Sequence, residues 1–228
     1  MSLLKEFIKN IHQQNLLKRE DYLLLAVSGG TDSVALCELC HQAGFHFGIA
    51  HCNFQLRGEE STRDEKFVQS LAEKYGAELF LKKFETEKYA EENKVSTQVA
   101  ARELRYEWFG KLLSEVADLR PSTVSHELPV VSHLRKDSSI SPSQGRGFLL
   151  TAHHANDNVE TLLMNFFKGT GIKGLQGILS KQGKIIRPLL FAHKEEIVTF
   201  VKENNLQFVE DSSNSSDKYT RNYFRHQL

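Results

Sequence analysis

Apolar residues along this chain fall into two patterns: dense blocks, and stretches where they recur every three or four positions. The dense blocks Tyr22–Val27, Phe45–His51, Ala77–Phe84 and Phe148–His153 read as strands. The wider spacing predicts helices near Thr31–Gln42, Ser61–Tyr75 and Ser96–Val116. Another helix is expected from just after His154 to about Lys168, and a last one over His193–Asn204. Leu3–Leu17 reads as an amphipathic helix lying on the side of the domain. Within the helix from Ser96, Val99, Leu104 and Trp108 are expected to form much of the core face. Strands alternating with helices predict an α/β fold built on a parallel sheet.

One stretch breaks the rhythm. Asp118–Gly147 is rich in serine, holds three of the four prolines and shows no period, so it is expected to be a long, flexible surface insertion in a single domain spanning 1–228. Its basic residues Arg120, Arg135, Lys136 and Arg146 offer contacts to RNA, against the plainer reading of a solvated loop.

Lys plus Arg number 29 and Asp plus Glu number 29, so overall charge gives no attraction to nucleic acid and leaves only a local basic face. No apolar run approaches the roughly 20 residues that span a bilayer, and Met1–Asn10 lacks a signal-peptide core. A cytoplasmic protein without membrane contact is expected. Three cysteines, Cys37, Cys40 and Cys52, argue against a disulfide framework. Cys37 and Cys40 lie three apart on an expected helix, which suits small buried residues; an iron–sulfur or persulfide site is the alternative.

The chemistry gathers at strand ends. Ser28-Gly29-Gly30-Thr31-Asp32-Ser33 joins the first strand block to a helix. Two glycines there let backbone N–H groups approach a phosphate, and the helix start adds donors and the positive end of its dipole. Ser28, Thr31 and Ser33 add hydroxyls, and Asp32 adds a carboxylate suited to phosphate-bound Mg²⁺. The string lacks the Gly-Lys-Ser/Thr ending of a Walker A loop and the third glycine of a dinucleotide fingerprint. The second strand delivers His51, Asn53 and Arg57, and the fourth delivers His153, Asp157 and Glu160 as candidates for metal ligation or acid–base work. A zinc site on His153-His154 is disfavoured, since adjacent histidines rarely reach one metal. Arg102 and Arg105, three apart with Tyr106, suit a phosphate or carboxylate, or else a solvated charged face with Glu103 and Glu107. Lys168-Gly169-Thr170-Gly171-Ile172-Lys173-Gly174 offers backbone amides and two lysines to an anion. Arg187 precedes Pro188-Leu189-Leu190, and Arg221–Arg225 is basic and aromatic.

The six-residue turn resembles the SGGxDS loop of the PP-loop ATP pyrophosphatases, which transfer AMP from ATP and release pyrophosphate. With HCNFQLRGEES, AARELRY, TAHHANDNVET, KGTGIKGL, IIRPLL and EDSSN…RN..R in that order, the chain from about Asp21 to Arg225 resembles the tRNA(Ile)-lysidine synthetases. The resemblance implies a Rossmann-like parallel sheet of the PP-loop type. It implies a cytoplasmic ligase that uses ATP and Mg²⁺, with L-lysine and an isoleucine tRNA bearing a CAU anticodon as partners. A homodimer is left open.

ATP is then expected at Ala26, Ser28, Gly29, Gly30, Thr31, Asp32, Ser33 and His51, and Mg²⁺ at Asp32 and Asp157. Asp32, Asp157 and Arg187 are the catalytic candidates, and Arg102, Arg105, Lys173, Arg221 and Arg225 the tRNA or substrate contacts. Two positions depart from the family pattern. Asn156-Asp157 stands where two aspartates are frequent, and Phe54 where histidine is frequent. C-terminal tRNA-binding domains, common in such proteins, are not expected in this chain. The rival readings are a tRNA thiolase using the three cysteines and a small-molecule amide-forming synthetase, which shares the loop but not AARELRY and RPLL.

Overall fold

Leu23, Leu24 and Leu25 are all fully buried because β1 (Tyr22–Ala26) is covered on both faces. Alternation of side chains sends Leu23 and Leu25 into one core and Leu24 into the other. The computed structural model describes residues 2–118, 146–171 and 175–210.

The remaining strands are β2 (Phe47–Asn53), β3 (Leu79–Lys83), β4 (Gly147–Leu150), β5 (Lys181–Gln182) and β6 (Ile185–Ile186). The helices are α1 (Leu3–Gln13), α2 (Thr31–Gln42), α3 (Glu59–Tyr75), α4 (Thr86–Asn93), α5 (Thr97–Asp118), α6 (Ala155–Phe167) and α7 (Lys194–Glu203). The sheet runs β3-β2-β1-β4-β6-β5, parallel except for the closing antiparallel β5–β6 hairpin. The expected α/β class with a mostly parallel sheet is therefore the one observed.

The larger core takes Phe7 and Ile11 of α1, most of α2, Val68 and Leu71 of α3, and Ile197 and Phe200 of α7. Every residue of α2 from Ser33 to Cys40 is buried, which explains its lack of an amphipathic pattern. The smaller core is Leu24, Ala50 and Leu149 against Phe109, Leu112 and Leu113 of α5. The core face of α5 is thus rotated by about one residue from the expected one. Val99 is 42% exposed, whereas Ala100 is fully buried, and of the three expected residues Trp108 alone packs against the smaller core.

Several element limits also differ from the sequence expectation. β2 starts two residues later and runs through Asn53, because its partners reach from Leu79 to Lys83 on β3. The dense block from Phe148 stays a strand only to Leu150, beyond which Thr151–His154 turn into α6. The short helix α4 was not expected, since in Thr86–Asn93 it buries only Thr86 and Ala90 and leaves no apolar stripe to read. Strands β5 and β6, two residues each, are below the length that a period can reveal.

The order of the strands fixes where a ligand goes. The chain leaves β1 toward β2 and β3, then returns across β1 to β4 and β6. The loops after β1 and β4 therefore diverge to opposite sides, opening a crevice at their carboxyl ends. Most of Asp118–Gly147, with its basic residues Arg120, Arg135 and Lys136, lies outside the described residues. So do Lys173, Arg221 and Arg225.

Candidate functional site

The crevice opens into a cavity of about 1120 Å³, floored by the ends of β1 and β2 and by the turn that starts α2. Within that turn Gly29 has φ +93°, a conformation that L side chains rarely adopt. A Cβ on Gly29 would meet Val209 Cγ2 at 2.8 Å and Phe67 Cδ1 at 3.2 Å. Gly30 is different: its φ is −74°, and a Cβ there would meet nothing closer than Ser28 Oγ at 3.6 Å. Gly29 is required by the fold, whereas Gly30 keeps the ligand side of the turn open.

Donors of the turn are held by weak, local bonds. The Gly29 N–H donates to Ser33 Oγ at 3.2 Å and the Gly30 N–H to Ser28 Oγ at 3.4 Å. Gly30 caps α2 without a side-chain bond to the helix start. A phosphate exchanging for these long neutral contacts gains shorter, charge-assisted ones.

Two carboxylates, a lysine and a histidine meet beside the turn. Asp32 Oδ1 accepts a 2.5 Å bond from Lys194 Nζ, and Asp32 Oδ2 lies 3.7 Å from His154 Nε2. Asp157 Oδ2 lies 3.6 Å from the same His154 nitrogen and accepts the His154 backbone N–H at 3.0 Å, closing a capping box at the start of α6. His154 is 3% exposed, and its Nδ1 has no hydrogen-bond partner. Asp32, Asp157 and Lys194 all line the cavity.

The sequence reading singled out His153, but His154 is the histidine between the carboxylates. His153 also lines the cavity, with Nδ1 2.9 Å from Thr151 Oγ1. Among the described residues no group of three or more His, Cys, Asp or Glu side chains is arranged to hold a metal. Two acidic groups converging on one point suit Mg²⁺, which is commonly held by one or two carboxylates, water and substrate phosphates.

The walls are partly aromatic. Phe54 stacks on Phe84 with ring centroids 5.5 Å apart and carries the Arg105 guanidinium 5.1 Å above its ring. Phe54 is thus an apolar platform under an arginine. Arg105 and Tyr106 line the cavity, while exposed Arg102 lies over the Tyr106 ring at 5.2 Å. Cys52 also faces the cavity, and burial pushes its thiol up to about 12, against any role as a thiolate nucleophile. Cys37 and Cys40 lie fully buried in the larger core on α2, the packing role expected for them.

A segment from farther along the chain forms the opposite rim. Phe208, Val209 and Glu210 line the cavity. The Val209 N–H donates to Gly29 O at 2.9 Å, and Arg63 Nη2 donates to Glu210 O at 3.2 Å.

Other expected residues are placed apart. His51 is 4% exposed with Nδ1 2.8 Å from Val27 O, and burial lowers its pKa. Its neighbours Ala50 and Cys52 face the cavity instead, as strand alternation requires. Arg187 is 7% exposed, donates from Nη1 to Leu179 O at 2.8 Å and does not line the cavity. The short β6 and the turn after it aim its side chain at the 175–180 segment. Asn156 is a tie rather than a ligand: its Oδ1 accepts the backbone N–H of Lys194 at 3.0 Å and so fixes the start of α7.

Sequence reasoning missed Lys194, Arg63, Phe208 and Val209, and gave Glu210, the first residue of the EDSSN block, no role. Lys194 sits just past the IIRPLL block at a helix start, the placement that drew attention to the other loops. A second cleft, of about 350 Å³, lies at the sheet edge among Lys82, Tyr89, Trp108 and Lys111, and no glycine turn borders it.

A parallel sheet with a glycine turn at its switch point, and acidic and basic side chains converging on that turn, defines an α/β domain of the kind that holds phosphate-bearing ligands. The chain belongs to the PP-loop domain family, whose profile matches residues 2–120 and 138–228. The break between 120 and 138 falls inside the stretch expected to be an insertion.

Among curated proteins, it is 43% identical to the tRNA(Ile)-lysidine synthase of Bacteroides thetaiotaomicron, over 96% of this chain and 45% of that protein. It is 36% identical to the enzyme of the same name from Chlorobaculum tepidum, over 98% of this chain and 60% of that one. The chain thus spans about half the length of these relatives. Among solved structures, the U34-tRNA thiolase of Methanococcus maripaludis, which carries a [4Fe-4S] cluster, superposes with a TM-score of 0.61. That likeness has 15% identity and covers 97% of this chain and 70% of the thiolase, so it speaks for the fold alone. No helix among the described residues is long and apolar enough to cross a membrane.

Proposed function

We propose that this chain carries the catalytic centre of lysidine formation: ATP-dependent ligation of L-lysine to carbon 2 of the wobble cytidine in an isoleucine tRNA with a CAU anticodon. The observation that carries the reading is the 43% identity to a tRNA(Ile)-lysidine synthase across 96% of the chain.

In the first step the cytosine O2 attacks the α-phosphorus of ATP, and the bond to pyrophosphate breaks. The turn Ser28–Ser33 receives the leaving group through backbone N–H groups and hydroxyls, with Thr31 and Ser33 at the start of α2. Bound Mg²⁺, where present, offsets phosphate charge, and Asp32 and Asp157 are the side chains that would hold it. In the second step the lysine ε-amine attacks carbon 2, the carbon–O2 bond breaks and AMP departs with its oxygen. The attacking amine loses a proton, for which Asp157 is the available carboxylate. Adenine is assigned to the floor formed by backbone around Ala26 and His51, with the His51 ring held away by Val27 O. Arg187 receives no role in charge stabilisation, since its Nη1 donates to Leu179 O and its side chain does not line the cavity. Lys173, Arg221 and Arg225 keep the tRNA-contact role that the family resemblance implies.

The thiolase reading is less supported: Cys37 and Cys40 are spent in the core, and the curated relatives named above are lysidine synthases. ATP–pyrophosphate exchange with and without the cognate tRNA, followed by lysine incorporation, tests the proposal. Exchange that requires the tRNA, and incorporation that requires lysine, is the expected result. Exchange driven by a small carboxylic acid without tRNA would overturn it.

Two further outcomes are expected. Gly30→Val should leave the melting temperature nearly unchanged, because no protein atom lies within 3.6 Å of the new Cβ. It should weaken Mg·ATP binding about tenfold or more, since the side chain projects where phosphate must approach; equal affinity by calorimetry would contradict the loop assignment. The second concerns Arg102 and Arg105, which are assigned to a tRNA phosphate track. With no net charge on the chain, binding should be weak and salt-dependent, and Arg102→Ala should reduce the slope of log affinity against log salt by about one. A tRNA affinity unchanged between 50 and 200 mM salt, roughly the range where phosphate contacts tell, would oppose it.

A further inference from the structure

Lys194 is the cavity residue whose position calls most for a reason. Its ammonium is bonded to the one carboxylate of the glycine turn, 162 residues earlier in the chain. Neither end of the pair is hidden: the Lys194 and Asp32 side chains are 37% and 30% exposed, both toward the cavity. Among the described lining residues the other full cations are committed elsewhere. Arg63 is bonded to Asp64 and to Glu210 O, and Arg105 lies over Phe54. Lys194 alone touches the turn. Its backbone is anchored, with the N–H on Asn156 Oδ1 and the start of α7 closed by the bond from His193 N to Glu196. Only the flexible stem is free to swing.

We propose that Lys194 is an exchangeable counter-ion of the glycine turn: it neutralises Asp32 in the free protein and moves onto the phosphates of the entering nucleotide. This inference rests on the assignment of ATP to the cavity. Charge drives the exchange. Asp32 cannot keep the ammonium at contact distance while it meets a divalent cation, because the two positive charges repel at that separation. The triphosphate brings more negative charge than Asp32 and accepts the ammonium instead. When AMP is transferred, the same ammonium follows the developing charge on the leaving pyrophosphate. The free protein meanwhile avoids an unpaired carboxylate in a partly dehydrated crevice.

Such an exchange has an opposite-sign signature that a merely structural lysine lacks. Lys194→Met removes both the phosphate ligand and the competitor of the metal. Binding of Mg·ATP and of Mg·pyrophosphate, measured by calorimetry, should weaken about tenfold to a hundredfold, the scale of a lost charged hydrogen bond. Binding of Mn²⁺ alone to the nucleotide-free protein, read from the loss of its free-ion paramagnetic signal, should become several-fold tighter. Lys194→Arg should keep pyrophosphate affinity within about threefold, since a guanidinium also binds phosphate. A Lys194→Met protein that binds pyrophosphate like the wild type overturns the inference alone. So does one that loses pyrophosphate and Mn²⁺ affinity together with a fall in melting temperature, which marks a structural role. A wild-type protein that binds neither Mg·ATP nor pyrophosphate overturns the nucleotide assignment, and the inference with it.

Discussion

Asp157→Asn is expected to lower lysidine formation by about a hundredfold or more, the usual scale of a general base or metal contribution. The variant keeps the shape of the side chain and an oxygen that can accept the His154 N–H, now bonded at 3.0 Å, so the capping box survives in part. The cost to stability should stay near or below about 1 kcal/mol, the range of a cap substitution. What the variant loses is charge, at a point where Asp157 and Asp32 flank the same buried imidazole nitrogen at 3.6 and 3.7 Å. The two half-reactions divide the roles. Exchange of pyrophosphate that persists while lysine transfer disappears assigns Asp157 to proton removal from the amine; loss of both assigns it to the metal. Near-normal turnover in both steps would remove Asp157 from the mechanism.

Gly29→Ala should be the more damaging change to the fold, and through the fold to the site. An L residue at φ +93° bears strain of about 1–2 kcal/mol. The added Cβ also faces Val209 Cγ2 at 2.8 Å and Phe67 Cδ1 at 3.2 Å, so crowding adds about 1–3 kcal/mol. A loss of about 2–5 kcal/mol should lower the melting temperature by roughly 4–20 °C for a domain of this size. Relief by moving Val209 breaks its 2.9 Å bond to Gly29 O and lifts the rim from the turn. Nucleotide affinity should therefore fall along with stability. Val209→Ala in the same chain removes one of the two clashes, so the double variant should recover about 1 kcal/mol relative to additivity. A Gly29→Ala protein that melts within a degree or two of the wild type would show that the turn relaxes freely, against this account of why glycine stands there.

The contrast between neighbouring glycines shows how far the pattern of residues could be read. Ser28–Ser33 named the loop, yet it assigned both glycines the same reason, approach to a phosphate. The structure separates them, because the strain and the clash at Gly29 come from the chain's own Val209 and Phe67. The two histidines divide in the same way. A strand end rich in polar residues marked the region, but which ring turns inward depends on where β4 stops, and it stops at Leu150. His51 was read as a site residue from a strand end, and Arg187 from the block that opens Pro188-Leu189-Leu190. Where their side chains go is tertiary: they bond to the carbonyls of Val27 and Leu179.

By itself the sequence determined what neighbours in the chain decide. Dense apolar blocks alternating with helical spacing set the α/β class, since a strand buried on both faces must be apolar throughout. The glycine turn between β1 and α2 was equally local, as was the acidic helix start at Asp157. Tertiary structure decided what strand order brings together. Placing β4 beside β1 and β6 beyond β4 sets the start of α7 across from the start of α2, so Lys194 meets Asp32. The same arrangement lays Phe208–Glu210 along the rim, where Val209 fixes the conformation of Gly29. The physical reason is that a side chain's period and a turn's dihedrals are set within a few residues. A contact across the sheet depends on which strands pair, and no local pattern in the chain records that choice.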